Sequence, residues 1–322
     1  MKKVLLDCDP GIDDALALMY LAGLHRAGEI SLCGVTTTAG NVGVKQTALN
    51  AAWILEQCGL GEVPVQAGES APLVVDLVTT PETHGPEGLG YFSPPAPAST
   101  DLASVQEQET WQEMWKAAAA AGAHLIVTGP VTNLARYVDS AGAAGFSSIT
   151  IMGGAINYRG NTTPTAEWNF WVDPDAARSF FEAPAHSTLC SLEVTEQFLI
   201  DPQRLESMLE ILNRHPLAAV LPEILRFYFE FHEKQGEGYQ AQIHDLLTCM
   251  IALGTVPCEA VETTVAVEAQ SQLLRGTSVA DLRGHWTRPA NCSLVTSADI
   301  EAAHREFSRA LKLLASPKNA VS

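Results

Sequence analysis

Asp7, Asp9, Asp13 and Asp14 put four carboxylates into eight residues, at the point where the apolar run Val4-Leu5-Leu6 meets Pro10-Gly11 and then a stretch with helical spacing. Pro10 fixes one backbone angle and Gly11 frees another, so the strand must stop and turn there. Asp7 and Asp9 then sit at the strand's C-terminal edge, and Asp13 and Asp14 in the first helical turn. Open α/β sheets keep their binding sites at that edge. Four negative charges this close repel one another unless a cation holds them, and short carboxylates with hard oxygens suit Ca²⁺ or Mg²⁺. First-turn aspartates are also common simply because they complement the helix dipole, which would account for Asp13 and Asp14 but not for Asp7 and Asp9.

Further along, apolar β-rich runs alternate with helical stretches, the pattern of a parallel sheet covered by helices. The spacing predicts strands at 4–6, 30–37, 125–127 and 149–152, and helices over 13–26, 44–58, about 222–232 and from His244. Each strand ends in small or turn-forming residues beside polar ones, such as Thr38-Ala39-Gly40-Asn41, Thr128-Gly129-Pro130 and Gly153-Gly154. The expected fold is one domain over 1–322, an open, mostly parallel sheet with helices on both faces. The stretch 79–100, rich in Pro, Gly and Ser, reads as a long surface loop carrying His84, and 233–239 as a second irregular segment.

The 37 acidic residues outnumber the 19 basic ones, giving a formal charge of −18 and arguing against nucleic acid or an anionic membrane as partner. A neutral or cationic small molecule is the expected substrate. Seven cysteines without metal-type spacing fit a reducing cytoplasm. Met1-Lys2-Lys3 runs directly into a strand, leaving no room for a signal peptide, and no apolar run is long enough to span a bilayer.

The opening segment from Asp7 to Ala15 resembles the N-terminal signature of the inosine-uridine nucleoside hydrolases. Four further blocks are similar to that family in the same order: Thr36 to Asn41, Thr128 to Leu134, Met152-Gly153-Gly154, and Gly160 to Phe170 followed by Asp173-Pro174. Ile243-His244-Asp245 matches its C-terminal metal and acid pair. The resemblance implies that Asp9, Asp14, Asp245 and the backbone carbonyl of Thr128 bind one Ca²⁺, with Asp9 also taking a proton from the attacking water and Asp7 supporting from behind. It implies that Asp13 and Asn169 hold the ribose 2′- and 3′-hydroxyls, that Asn161 and Glu167 reach the 5′-hydroxyl, and that Asn41 and Met152 face the substrate. His244 stands where members preferring inosine and uridine carry their proton donor, and His84 near the base. A homodimer or homotetramer is implied as well.

These residue types suit N-ribosidic cleavage. Its transition state carries positive charge at the anomeric carbon, which carboxylates stabilise more than they stabilise the neutral ground-state sugar. The departing base is a poor anion and calls for a general acid. Three competing readings remain at this level. One is a purine-specific hydrolase that activates its base by stacking on Trp168, Trp171 or Tyr239. Another is a phosphatase of the haloacid dehalogenase type, which also ends its first strand in Asp-x-Asp but which Pro10-Gly11 and Asp13-Asp14 fit poorly. The last is a sugar-binding module without turnover.

Overall fold

The structure, a computed structural model, describes residues 1–95 and 109–316. Its strands are β1 (Lys2–Cys8), β2 (Ile30–Thr37), β3 (Val65–Ala67), β4 (His124–Val127), β5 (Ser148–Met152), β6 (Ser187–Cys190), β7 (Leu199–Ile200), β8 (Ala241–Gln242), β9 (Cys258–Thr263), β10 (Val265–Val267), β11 (Ser278–Ala280) and β12 (Cys292–Ala298). Eight of them form one sheet in the order β3-β2-β1-β4-β5-β6-β12-β9. Every pairing in it is parallel except β12 with β9 at the edge. Because the strands run alike, their C-terminal ends share one edge, and in register Asp7 lies between Thr36 and Val127.

Alternation along β1 divides the two helical layers. Val4, Leu6 and Cys8 join one core, and Leu5 joins the other. The first layer is built by α1 (Ile12–Arg26) and α2 (Val44–Gln57). Two short or partly described helices follow, α3 (Pro81–His84) and α4 (Glu109–Ala120), then α5 (Thr132–Ala141), α6 (Trp168–Val172), α7 (Pro174–Glu182), α8 (Leu192–Thr195), α9 (Pro202–Leu212), α10 (Leu221–Lys234), α11 (His244–Leu253) and α12 (Ile300–Ala315). Helices α4, α5 and α7 cover the second face, while α9 to α12 complete the first.

Helix α1 is buried from Ile12 to Leu24, more than the single apolar face its sequence suggests, because α11 and α12 pack over its outer side. That second cover lets Asp13 and Asp14 lie inside the protein, although they occupy a first helical turn where solvent is usual.

The expected surface loop is corrected. Within 79–95 the chain forms α3, and His84 is only 7% exposed. Its Nδ1 accepts from the Ile12 N–H at 3.1 Å, and its ring lies 5.2 Å from Tyr228 of α10. The missing side chain at Gly11 makes room: a Cβ there would stand 2.6 Å from both His84 Nδ1 and Asn41 Nδ2. The remainder of that expected loop, from residue 96, lies outside the described residues.

Candidate active site

The strand ends at the C-terminal edge surround a cavity of about 500 Å³. Of the residues singled out from sequence, Asp9, Asp13, Asn41, His84, Thr128, Met152, Asn161, Glu167, Asn169, His244 and Asp245 all line it. Asp14 does not. It lies fully buried beneath, its Oδ1 accepting from the Thr128 hydroxyl at 2.7 Å and its Oδ2 from the Gly11 N–H at 3.3 Å.

Asp9 follows β1 and is fixed from the β2 turn. Asn41 donates its N–H to Asp9 Oδ2 at 2.7 Å and its Nδ2 to the Asp9 carbonyl at 3.1 Å. Glycines stand on either side, because a Cβ on Gly129 would lie 2.8 Å from Asp9 Oδ1 and one on Gly40 would press against Oδ2. Behind them Asp7 Oδ1 accepts from Thr36 Oγ1 at 2.6 Å and Asn133 Nδ2 at 2.8 Å, tying β1, β2 and α5 together. Asp7 Oδ2 is buried without a partner among the described residues.

Burial is the main force on these acids. It raises Asp7 to about 7 against the stabilising bonds from Thr36 and Asn133. It raises Asp14 to about 7 with the help of Asp13, and it drives Asp9 and Asp245 well above the usual carboxylate range, reinforced by Asp14 and Asp13 respectively. Such a group must hold protons or a cation to remain inside a protein. All its donors are hard oxygens, which fits Ca²⁺ or Mg²⁺. Among the described residues no three Asp, Glu, His or Cys side chains stand in a finished metal-ligating arrangement, so that fit rests on donor chemistry and burial.

Another wall of the cavity is supplied by α6 and the residue before it. Glu167, its N-cap, accepts from the N–H groups of Asn169, Phe170 and Gly154 at 2.7, 3.2 and 2.8 Å. Burial lifts it to about 7 despite those bonds. Asn169 Nδ2 donates to the Thr128 carbonyl at 2.7 Å, so the side chain is aimed while its Oδ1 has no protein partner among the described residues. Asn161 is exposed on the rim, its Oδ1 accepting from the Trp168 N–H at 3.0 Å.

His244 opens α11 and is 5% exposed. Burial lowers it to about 4. His84 and His232 share the cavity and are lowered for the same reason.

Sequence reasoning passed over five residues here. Thr195 of α8 lies 2.9 Å from His244 Nδ1. His232 of α10 bonds Glu237 at 2.8 Å, and Arg159 bridges Glu237 and Glu196 at 3.1 and 3.0 Å across the cavity mouth. The rule that a strand ends at polar residues would have found Ser191 to Glu196 had β6 been recognised.

The sequence profile of the family described as inosine-uridine preferring nucleoside hydrolase matches residues 4–305. The chain belongs to that family. As a nucleoside hydrolase it is an N-ribohydrolase, and the phosphatase and non-catalytic readings fall away. It is similar to the pyrimidine-specific ribonucleoside hydrolase RihA of Shewanella baltica (strain OS155 / ATCC BAA-1091), 34% identical over 308 residues and 92% of each chain. The inosine-uridine preferring nucleoside hydrolase of Leishmania major is 31% identical over 307 residues, 93% of each. Among solved structures, a purine-preferring ribonucleoside hydrolase from Gardnerella vaginalis superposes with a TM-score of 0.86 at 25% identity, covering 98% of this chain and 99% of that one. Among the described residues no helix is long and apolar enough to cross a membrane.

Proposed function

We propose that this nucleoside hydrolase cleaves uridine and inosine to ribose and free base with a bound Ca²⁺. The observation that carries the reading is the convergence of Asp9, Asp13, Asn169 and Asp245 with the imidazole of His244 in one cavity. Asp9, Asp14, Asp245 and the Thr128 carbonyl would hold the ion. When bound, it lowers the pKa of water and anchors the ribose diol.

The protein's own groups do the rest. Asp13 and the open Oδ1 of Asn169 receive the 2′- and 3′-hydroxyls, and Glu167 and Asn161 orient the 5′-hydroxyl. Asn41 and Met152 pack along the sugar, with His84 beside the base. Asp9, immobilised by Asn41, takes the proton of the attacking water. Positive charge growing at the anomeric carbon meets a wall of carboxylates. Asp13, whose charge works against the lowering by burial, favours the charged form of the imidazole from which His244 gives a proton to the departing base.

The uridine and inosine preference is supported by the likeness to pyrimidine-specific and inosine-uridine preferring relatives, at higher identity than the purine-preferring structure. Uridine, cytidine, inosine, adenosine and guanosine assayed for released reducing sugar test it. Fastest turnover of uridine and inosine is expected. Turnover confined to adenosine and guanosine would overturn the preference, and no turnover of any would overturn the assignment.

A further inference from the structure

Helix α8 has one turn, Leu192–Thr195, entered directly from the C-terminal end of β6. It is pinned on both sides. The Leu192 N–H donates to the Gly154 carbonyl at 3.0 Å, and Glu193 Oε2 accepts from the Ile156 N–H at 3.2 Å, fastening it to the loop after β5. Thr195 at its end is fully buried. Its Oγ1 lies 2.9 Å from His244 Nδ1 and 3.4 Å from the Ser191 carbonyl.

The Ser191 carbonyl already accepts from the N–H groups of Val194 and Thr195 at 3.0 and 3.1 Å, and Nδ1 is the nearer partner of the Thr195 hydroxyl, which holds the ring there whether it donates to Nδ1 or accepts from it. Among the described residues His244 Nε2 has no protein partner, and the residue lines the cavity. We infer that Thr195 is a positioning residue for the reaction: its hydroxyl holds the imidazole by Nδ1, so that Nε2 faces the leaving base. This rests on the reading of His244 as the acid. Thr195 itself touches no substrate.

A hydroxyl in this place stops the ring from flipping to present carbon to the base, which an apolar residue cannot do. It does so from a short, rigid turn clamped to two strand ends. The orientation therefore does not depend on whether the cavity mouth is occupied.

The test uses Thr195→Val, which replaces the hydroxyl by a methyl of similar size, with Thr195→Ala as a second removal of the same oxygen should the valine variant fold poorly, and Thr195→Ser as the rescue. Each is assayed on uridine, whose base needs a proton to leave, and on p-nitrophenyl riboside, whose leaving group departs as an anion. Removal of the hydroxyl should lower kcat for uridine by about 10- to 100-fold, part of the 10²- to 10⁴-fold that a placed acid supplies. KM and turnover of p-nitrophenyl riboside should stay within about twofold, and Thr195→Ser should recover most of the loss. Equal loss on both substrates, or loss on neither, overturns the inference. His244→Ala on the same pair separates the two levels. If it spares p-nitrophenyl riboside while Thr195→Val loses nothing, only the role of Thr195 fails. If it damages both substrates alike, the acid assignment itself fails.

Discussion

Replacing Gly129 by alanine is the sharpest available test of how tightly the site is built. Gly129 has no positive φ, so alanine adds no backbone strain, only a methyl. That methyl would stand 2.8 Å from Asp9 Oδ1, 3.0 Å from the Asp9 nitrogen and 3.1 Å from the Cys8 carbonyl carbon, where ordinary contact begins at 3.4 Å. Oδ1 must therefore retreat by about 0.6 Å and the two main chains part by about 0.3 to 0.4 Å. The carboxylate has little room to do so, because Asn41 N–H holds Oδ2 at 2.7 Å and Gly40 closes in behind it. Overpacking of this kind costs about 1–3 kcal/mol of stability, and displacing a reacting group by about 1 Å costs about 100-fold in rate. A loss in kcat/KM of about 10- to 100-fold on uridine is expected, with unfolding shifted by no more than the steric cost. Gly43→Ala, whose Cβ would meet nothing within 4 Å, serves as the control and should change stability by less than about 0.5 kcal/mol. Full activity in Gly129→Ala would refute the claim that Asp9 is gripped, and equal damage in Gly43→Ala would show the assay to be reading general instability.

Three more outcomes follow from the same geometry. Exhaustive chelation should abolish turnover and lower the unfolding temperature, since an ion at a hundredfold excess over its Kd stabilises the native state by about 2.7 kcal/mol; unaltered activity in metal-free protein would remove the ion from the reaction. Asp13→Ala should injure turnover of uridine far more than of 2′-deoxyuridine, and equal injury would withdraw the diol from Asp13. His124, far from the site, is held at about 4 by burial, with Lys2 adding to the effect, while its Nε2 meets Thr150 Oγ1 at 3.0 Å. The unfolded chain then binds the extra proton first, so stability is complete above about 6.5 and drains away toward pH 4; denaturant titrations at pH 7 and 4.5 should show His124→Gln losing about 2–3 kcal/mol less than the parent over that interval, and parallel losses would place the acid sensitivity elsewhere.

The β1–α1 junction and β2 were legible because apolar runs there meet turn residues and clustered acids, whereas Asn161, Glu167, Asn169, His244 and Asp245 were named from the family resemblance. What escaped was short or atypical. Val65-Gln66-Ala67 and Ser187-Thr188-Leu189-Cys190 make strands too brief and polar to announce themselves, yet β6 is what delivers Thr195. The sequence Cys258 to Thr263 shows no buried face because β9 is an edge strand exposed almost throughout. His84 was misplaced for the opposite reason: its proline- and glycine-rich surroundings look solvated, but contacts with Ile12 and Tyr228, distant in sequence, bury it.

The position of β12 governs when the molecule becomes an enzyme. Every side chain proposed for the chemistry has been synthesised by residue 245, but β6 finds its outer neighbour only in 292–298, and β9 touches the sheet through that same strand alone. Helix α12, which roofs the acid-bearing α1, comes later still. A chain cut short near residue 290 would thus carry a full complement of reactive groups with a bare edge beside the turn that aims His244, and should be inert. Damage at the tail would then read as loss of catalysis, although no described residue there lines the cavity.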